Sequence, residues 1–164
     1  MTMPVTPLNK ENFLVGVISD THGLLRPEVP KVFNEVDIIL HAGDIDGPPV
    51  LDALRKIAPL TAVQGNMDHG EWSRALPPTE VAEIGAALVY MLHNVYALDI
   101  DPAVSGFHAV ISGHTHRPSV EMEKGVLFLN PGSAGPRRNK VPASVALLHV
   151  QGTALDARII TLKN

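Results

Sequence analysis

Ile111-Ser-Gly-His-Thr-His-Arg-Pro118 places two histidines, His114 and His116, two residues apart between Gly113 and Pro118. The residues leading into it, His108-Ala-Val-Ile111, have the pattern of a short buried strand. Imidazole is the commonest metal ligand, and two of them on a short stiff loop reach one small volume. A lone His-x-His is more often a pair of turn histidines than a site, because short motifs match by chance. The reading therefore turns on whether ligand-type side chains also stand at the ends of other strands.

They do. Phe13-Leu-Val-Gly-Val-Ile18 is a continuous apolar run, as expected of a strand covered on both faces, and it ends in Ser-Asp20-Thr-His22-Gly. Asp37-Ile-Ile-Leu-His-Ala42 ends in Gly-Asp44-Ile-Asp46-Gly; Asp44 is the ligand candidate, while Asp46 reads as a loop or cap residue. His41, inside the strand, reads as a packed, hydrogen-bonded histidine. Leu60-Thr-Ala-Val63 ends in Gln-Gly-Asn66-Met-Asp68-His69. A later apolar run, 86–92, ends at His93-Asn94. Each such loop alone is an ordinary turn. Their joint occurrence yields Asp20, His22, Asp44, Asn66, His93, His114 and His116. That is more than one ion needs if a position stays open to water, and it suits two ions ~3.5–4 Å apart sharing a carboxylate.

Between the first strands, 26–35 carries Val29, Val32, Phe33 and Val36 at helical spacing, and 49–58 carries Val50, Leu51, Leu54 and Ile57. The first half thus reads βαβαβ. The second half reads as hairpins, at 79–84 with 86–92, 119–124 with 126–129, and 144–150 with 153–162; the stretch 95–107 is expected to hold a short helix. The expected fold is α/β, a two-sheet sandwich flanked by helices in four αββα layers, with ligands along one rim. A single domain is expected over 1–164, with 1–11 a loosely ordered extension.

The chain has 164 residues, 45% hydrophobic and 18% charged, enough to bury an ordinary core. A formal net charge of −4 argues against non-specific nucleic-acid binding, and no basic stripe favours a nuclease. Without cysteine there is no disulfide and no thiolate zinc site, so a metal must be held by His, Asp and Asn. No apolar run is long enough to span a bilayer, and no leader is visible. A soluble cytoplasmic protein is the expectation.

Taken in order, DTHG (20–23), HAGD (41–44), GNMD (65–68), His93, GHTHRP (113–118) and NPGS (130–133) resemble the calcineurin-like metallophosphoesterases, and among them the small single-domain phosphodiesterases. The resemblance implies a two-metal site in which Asp20, His22 and His116 hold one ion, Asn66, His93 and His114 hold the other, and Asp44 bridges. It implies hydrolysis of a small phosphodiester by in-line attack of a hydroxide shared by the ions, with the Asn66 amide helping to stabilise phosphoryl charge. Manganese is the expected metal; nickel, zinc or iron would suit the same donors. Many relatives carry His where this chain has Met67. Methionine moves no proton, which leaves Asp68, His69 or water to protonate the leaving group and favours substrates that need no protonation. The family usually has Gly after the ligand histidine; here Asn94 stands, the side chain that best tolerates the left-handed conformation. Arg137 and Arg138, after the NPGS loop, are candidates to meet a phosphate. Asn130 and Ser133 are expected to brace the loop beneath the site. A scaffold on the same fold is the alternative function, and exposed hairpin edges permit a homo-oligomer.

Overall fold

The computed structural model describes residues 2–4, 10–137 and 140–162. Two sheets face each other. One has six strands in the order β1 (Thr2–Pro4), β5 (Thr79–Ile84), β6 (Ala87–Leu92), β7 (Ala109–Ile111), β9 (Val126–Asn130), β8 (Ser119–Glu123). The other has five, in the order β11 (Ala154–Thr161), β10 (Ser144–Gln151), β2 (Asn12–Ile18), β3 (Ile38–His41), β4 (Leu60–Ala62). This is the α/β sandwich expected of the sequence. Part of the expected loose extension departs from expectation: Thr2–Pro4 pair in parallel with Val81–Glu83.

The apolar runs are continuous because strands of the five-stranded sheet bury both faces. Phe13, Val15 and Val17 of β2, Ile38 and Leu40 of β3, and Ala146, Leu148 and Val150 of β10 meet Ala82, Val89, Met91, Ala109, Ile111 and Leu127 of the opposing sheet. The other face, with Ile18, Ile39 and Val145, packs on α1 (Glu28–Val32) and α2 (Pro48–Arg55) through Val29, Val50, Leu51 and Leu54, together with Phe33 just past α1. Gly16 sits under the Phe33 ring: a Cβ there would lie 3.0 Å from three ring carbons. Trp72 packs at the margin of this layer.

Both α-helices are shorter than the apolar spacing predicts. The chain must turn at Phe33–Glu35 to return Asp37 to β2, where its carboxylate accepts the Leu14 N–H at 2.8 Å. α2 ends before Pro59, in keeping with the restriction proline places on the preceding residue. On the outer face of the six-stranded sheet, Leu92, Val110 and Val126 are covered by Val95, Leu98 and Ala103. The cover there is a 3₁₀ turn, Val95–Ala97, followed by loop, rather than an α-helix. A second 3₁₀ turn, Glu71–Ala75, carried no apolar signature in the sequence. No helix among the described residues is long and apolar enough to cross a membrane.

What positions the site is strand direction. β2, β3 and β4 run parallel to one another, as do β6, β7 and β9. Their carboxyl ends meet at one rim, where Gly43 O accepts from Asp20 N–H at 3.0 Å and His93 O accepts from Gly113 N–H at 2.9 Å.

Candidate metal centre

The loops leaving these strands bring the expected ligands together in a chain of close contacts. Asp20 Oδ1 lies 3.3 Å from His116 Nε2 and 3.8 Å from His22 Nε2. The two imidazole nitrogens are themselves 3.4 Å apart. Asp44 Oδ2 lies 3.2 Å from His93 Nε2 and 3.9 Å from His22 Nε2. His93 Nε2 is 3.3 Å from His114 Nδ1, which is 3.2 Å from Asn66 Oδ1. Asp20, His22 and His116 form one group that could hold an ion, and Asp20, Asp44 and His93 form another.

The arrangement fits divalent cations better than it fits a self-satisfied polar cluster. Asp20 Oδ1 is buried with no hydrogen-bond partner among the described residues, a costly state for a carboxylate oxygen. The imidazole nitrogens that face one another, His22 with His116 and His93 with His114, can share a single proton within each pair, and a cation can instead take the lone pairs of both rings. His93 Nδ1 donates to Ala42 O at 2.8 Å, which turns the Nε2 lone pair toward Asp44. The donors are nitrogen and oxygen throughout, as borderline or hard divalent ions prefer.

Charge in the cluster is shared across the ring. Burial acts to raise the Asp20 carboxyl, but His116, the Ser19 hydroxyl at 2.7 Å and the charge of His93 together hold it below the usual range. Burial likewise acts to raise Asp44, and is outweighed by His93 and the Met67 N–H at 2.8 Å, so it too is lowered. His93 is raised: burial opposes the charged ring, and the two carboxylates overcome it.

The local backbone is strained where the ligands sit. Asp20, His22, Asp44, Asp46, His114 and His116 have φ of 55, 47, 57, 63, 70 and 63°. Such left-handed residues cost about 1 kcal/mol or more each and persist only where the surroundings fix them. Here they are fixed by Asp20 N to Gly43 O, His22 N to Asp44 O and Gly135 N to Asp20 O, at 3.0, 3.0 and 3.1 Å. Glycine allows the loops to interlock. A Cβ at Gly65 would lie 2.2 Å from Asp44 N, and one at Gly113 would lie 1.9 Å from Ser19 Oγ.

Asp68 departs from expectation. Its carboxylate accepts from the backbone N–H of Asp44, Asp46 and Gly65 at 3.0, 2.8 and 2.9 Å, so it braces the Asp44 loop and is not placed to protonate a leaving group. His69 is exposed. Asn94 departs as well: it is extended, with φ −114°, and its side chain accepts Tyr96 N–H to start the 3₁₀ turn. Asn130 and Ser133 are braces as expected. Asn130 Nδ2 donates to Gly113 O and Thr115 Oγ1, and Ser133 Oγ donates to Asp20 O. Arg137 is exposed, and Arg138 lies outside the described residues. Sequence reasoning missed Ser19 and Arg26; the Arg26 guanidinium holds Gly135 O at 2.9 and 3.2 Å. Neither carries a spacing signal.

The description "calcineurin-like phosphoesterase superfamily domain" matches residues 13–153. A protein of Methanothermobacter thermautotrophicus named "probable metallophosphoesterase" is 38% identical over 159 residues, covering 90% of this chain and 91% of its own. Among solved structures, a novel archaeal phosphodiesterase superposes with TM-score 0.75 at 22% identity, over 90% of this chain and 99% of its own. Vacuolar protein sorting 29 from Cryptosporidium parvum superposes with TM-score 0.75 at 20% identity, over 94% and 100%. At those identities the two structures speak for the fold alone. A family domain spanning nearly the whole described sandwich and a relative of this similarity place the chain in the calcineurin-like phosphoesterase superfamily, whose members bind divalent metals.

Proposed function

We propose that this chain is a two-metal phosphodiesterase acting on a small phosphodiester. The observation that carries the reading is the buried Asp20 Oδ1, without a hydrogen-bond partner among the described residues, facing the Nε2 atoms of His22 and His116. Asp20, His22 and His116 would hold one ion; Asn66, His93 and His114 would hold the second. Asp44 is suited to both, since one of its oxygens faces His93 and His22 together. When bound, the ions supply Lewis acidity toward the phosphoryl oxygens and ionise a water near neutral pH.

The chain's own groups do the rest. Asn66 is exposed at the mouth, and its amide N–H groups can donate to a phosphoryl oxygen where charge develops. The Ala42 carbonyl fixes the tautomer of His93. Met67, 47% exposed, offers the leaving group no proton, and Asp68 is committed to the backbone. Of the side chains considered for proton delivery, His69 remains; otherwise solvent serves. Leaving groups that depart as stable anions are therefore favoured. Arg137, two residues past the Gly135 that contacts Asp20, is the basic group we assign to the phosphate. Manganese is the metal we propose.

The test uses metal-stripped protein with bis(p-nitrophenyl) phosphate and p-nitrophenyl phosphate, adding manganese, nickel, zinc or ferrous iron in turn. Diester hydrolysis restored by an ion is the expected result, with bound metal per chain lost in Asp44→Ala. Met67→His should raise turnover of poorly leaving esters without changing metal content. Tight metal binding with no turnover under any ion would instead favour a scaffold, a reading that the fold likeness to a vacuolar sorting protein keeps in view.

A further inference from the structure

A cleft of about 1190 Å³ lies on the outer face of the six-stranded sheet, and none of the ligand residues lines it. Its floor is Phe128 of β9 and Leu98, with Ser112 and Asn130 toward the rim. One wall is the outward face of β8, Ser119, Glu121 and Glu123, and the other is the segment from Val95 to Ala103.

Ser112 is the telling residue. It is 5% exposed, it lines the cleft, and its hydroxyl has no hydrogen-bond partner among the described residues. The hydroxyl opens onto the cleft, where it is available to donate to an acceptor seated there. Nearby, Thr115 Oγ1 accepts from Asn130 Nδ2 and Arg117 N–H, which leaves its own proton to give. The charge lining the cleft is mainly negative, with Asp99, Asp101, Glu121 and Glu123 against Arg117 and Lys124. Tyr96 stands on the lip at 83% exposure, the kind of aromatic enriched at protein interfaces. The volume exceeds the ~300–1,000 Å³ of ordinary small-molecule pockets. β8 is an edge strand with every residue exposed, a natural neighbour for extended backbone.

We propose that this cleft docks an extended segment of a partner polypeptide in which an apolar side chain is flanked by lysine or arginine. The apolar side chain seats on Phe128 and Leu98. The flanking cations meet the four carboxylates. A backbone carbonyl of the segment takes the Ser112 hydroxyl.

Selection of a random heptapeptide phage library on the intact chain tests this. Enriched peptides should carry Leu, Ile, Met or Phe beside Lys or Arg. Synthetic copies should bind the double variant Glu121→Lys with Glu123→Lys at least tenfold more weakly, and Ser112→Ala severalfold more weakly. Both variants should keep the far-ultraviolet circular dichroism of the parent, since the glutamates are exposed and the serine change removes one atom. The proposal is overturned if no peptide is enriched, if the enriched peptides are acidic or lack an apolar residue, or if the double variant binds them unchanged. It is equally overturned if size-exclusion chromatography shows a dimer that the double variant breaks, for then the cleft belongs to a second copy.

Discussion

Two buried polar residues outside the proposed ligand set hold the rim in shape. Asp68 gathers three backbone N–H groups from two loops. Asp68→Ala strands those donors, and we expect a loss of about 3 kcal/mol in urea unfolding, with metal affinity reduced because the Asp44 loop is no longer held. His41 is wholly buried. Its Nδ1 accepts Gly43 N–H, and its Nε2–H donates to Thr21 Oγ1, which in turn donates to Ile45 O. Burial pushes its pKa down to about 3, against about 6.5 in an unfolded chain. Between those values the unfolded chain binds a proton that the folded chain refuses, so stability falls as pH drops through that window, by at most about 1.4 kcal/mol per pH unit. Urea midpoints at pH 7 and pH 4.5 should therefore fall more steeply for the parent than for His41→Gln. The residues that gather at the rim were legible because each lies within a few positions of the end of an apolar run. Asp68 was misread because a carboxylate beside Met67 looks the same in sequence whether it faces substrate or backbone.

The elements tell a similar story. Strands buried on both faces announce themselves as continuous apolar runs, and β2, β3 and β10 fall where those runs are. The 3₁₀ turns and the helix ends do not, because they are set by where the chain must go next rather than by local periodicity. Nor does sequence show how closely the loops approach. Gly113 has an ordinary backbone conformation, yet a Cβ there would strike Ser19 Oγ and come within 2.6 Å of Asp20 Oδ2. Gly113→Ala should leave a folded sandwich weakened by about 1–3 kcal/mol, with bound metal lost because Asp20 must move. Gly125→Ala makes a control, since open space surrounds that position and only its φ of +81° opposes the change. It should cost about 1 kcal/mol and leave metal content unchanged.

For the molecule as a whole, cations that bind only the folded rim should add stability by mass action, about 2.7 kcal/mol at a hundred times the dissociation constant. Calorimetry of metal-stripped protein with and without manganese should show a rise in Tm that Asp44→Ala abolishes. Coordination by the raised His93 would require it to shed its proton. Without metal, its paired charge contributes stability fully present below about pH 6.5 and lost as pH rises through its elevated value. Metal affinity should therefore climb with pH across that same range, with protons released on binding, measurable by titration in buffers of different ionisation enthalpy.

The left-handed backbone at Asp20, His22 and Asp44 is upheld by amide–carbonyl contacts between loops, and that at Asp46 and His114 by the carboxylates of Asp68 and Asp20. Glycine at any of these positions would relax the chain locally while deleting a donor or a neighbour of one. A descendant freed from the need for catalysis would thus find comfort and inactivity in the same substitutions, and its architecture would outlast its chemistry. Asp and His at these positions thus carry a backbone strain that glycine would avoid.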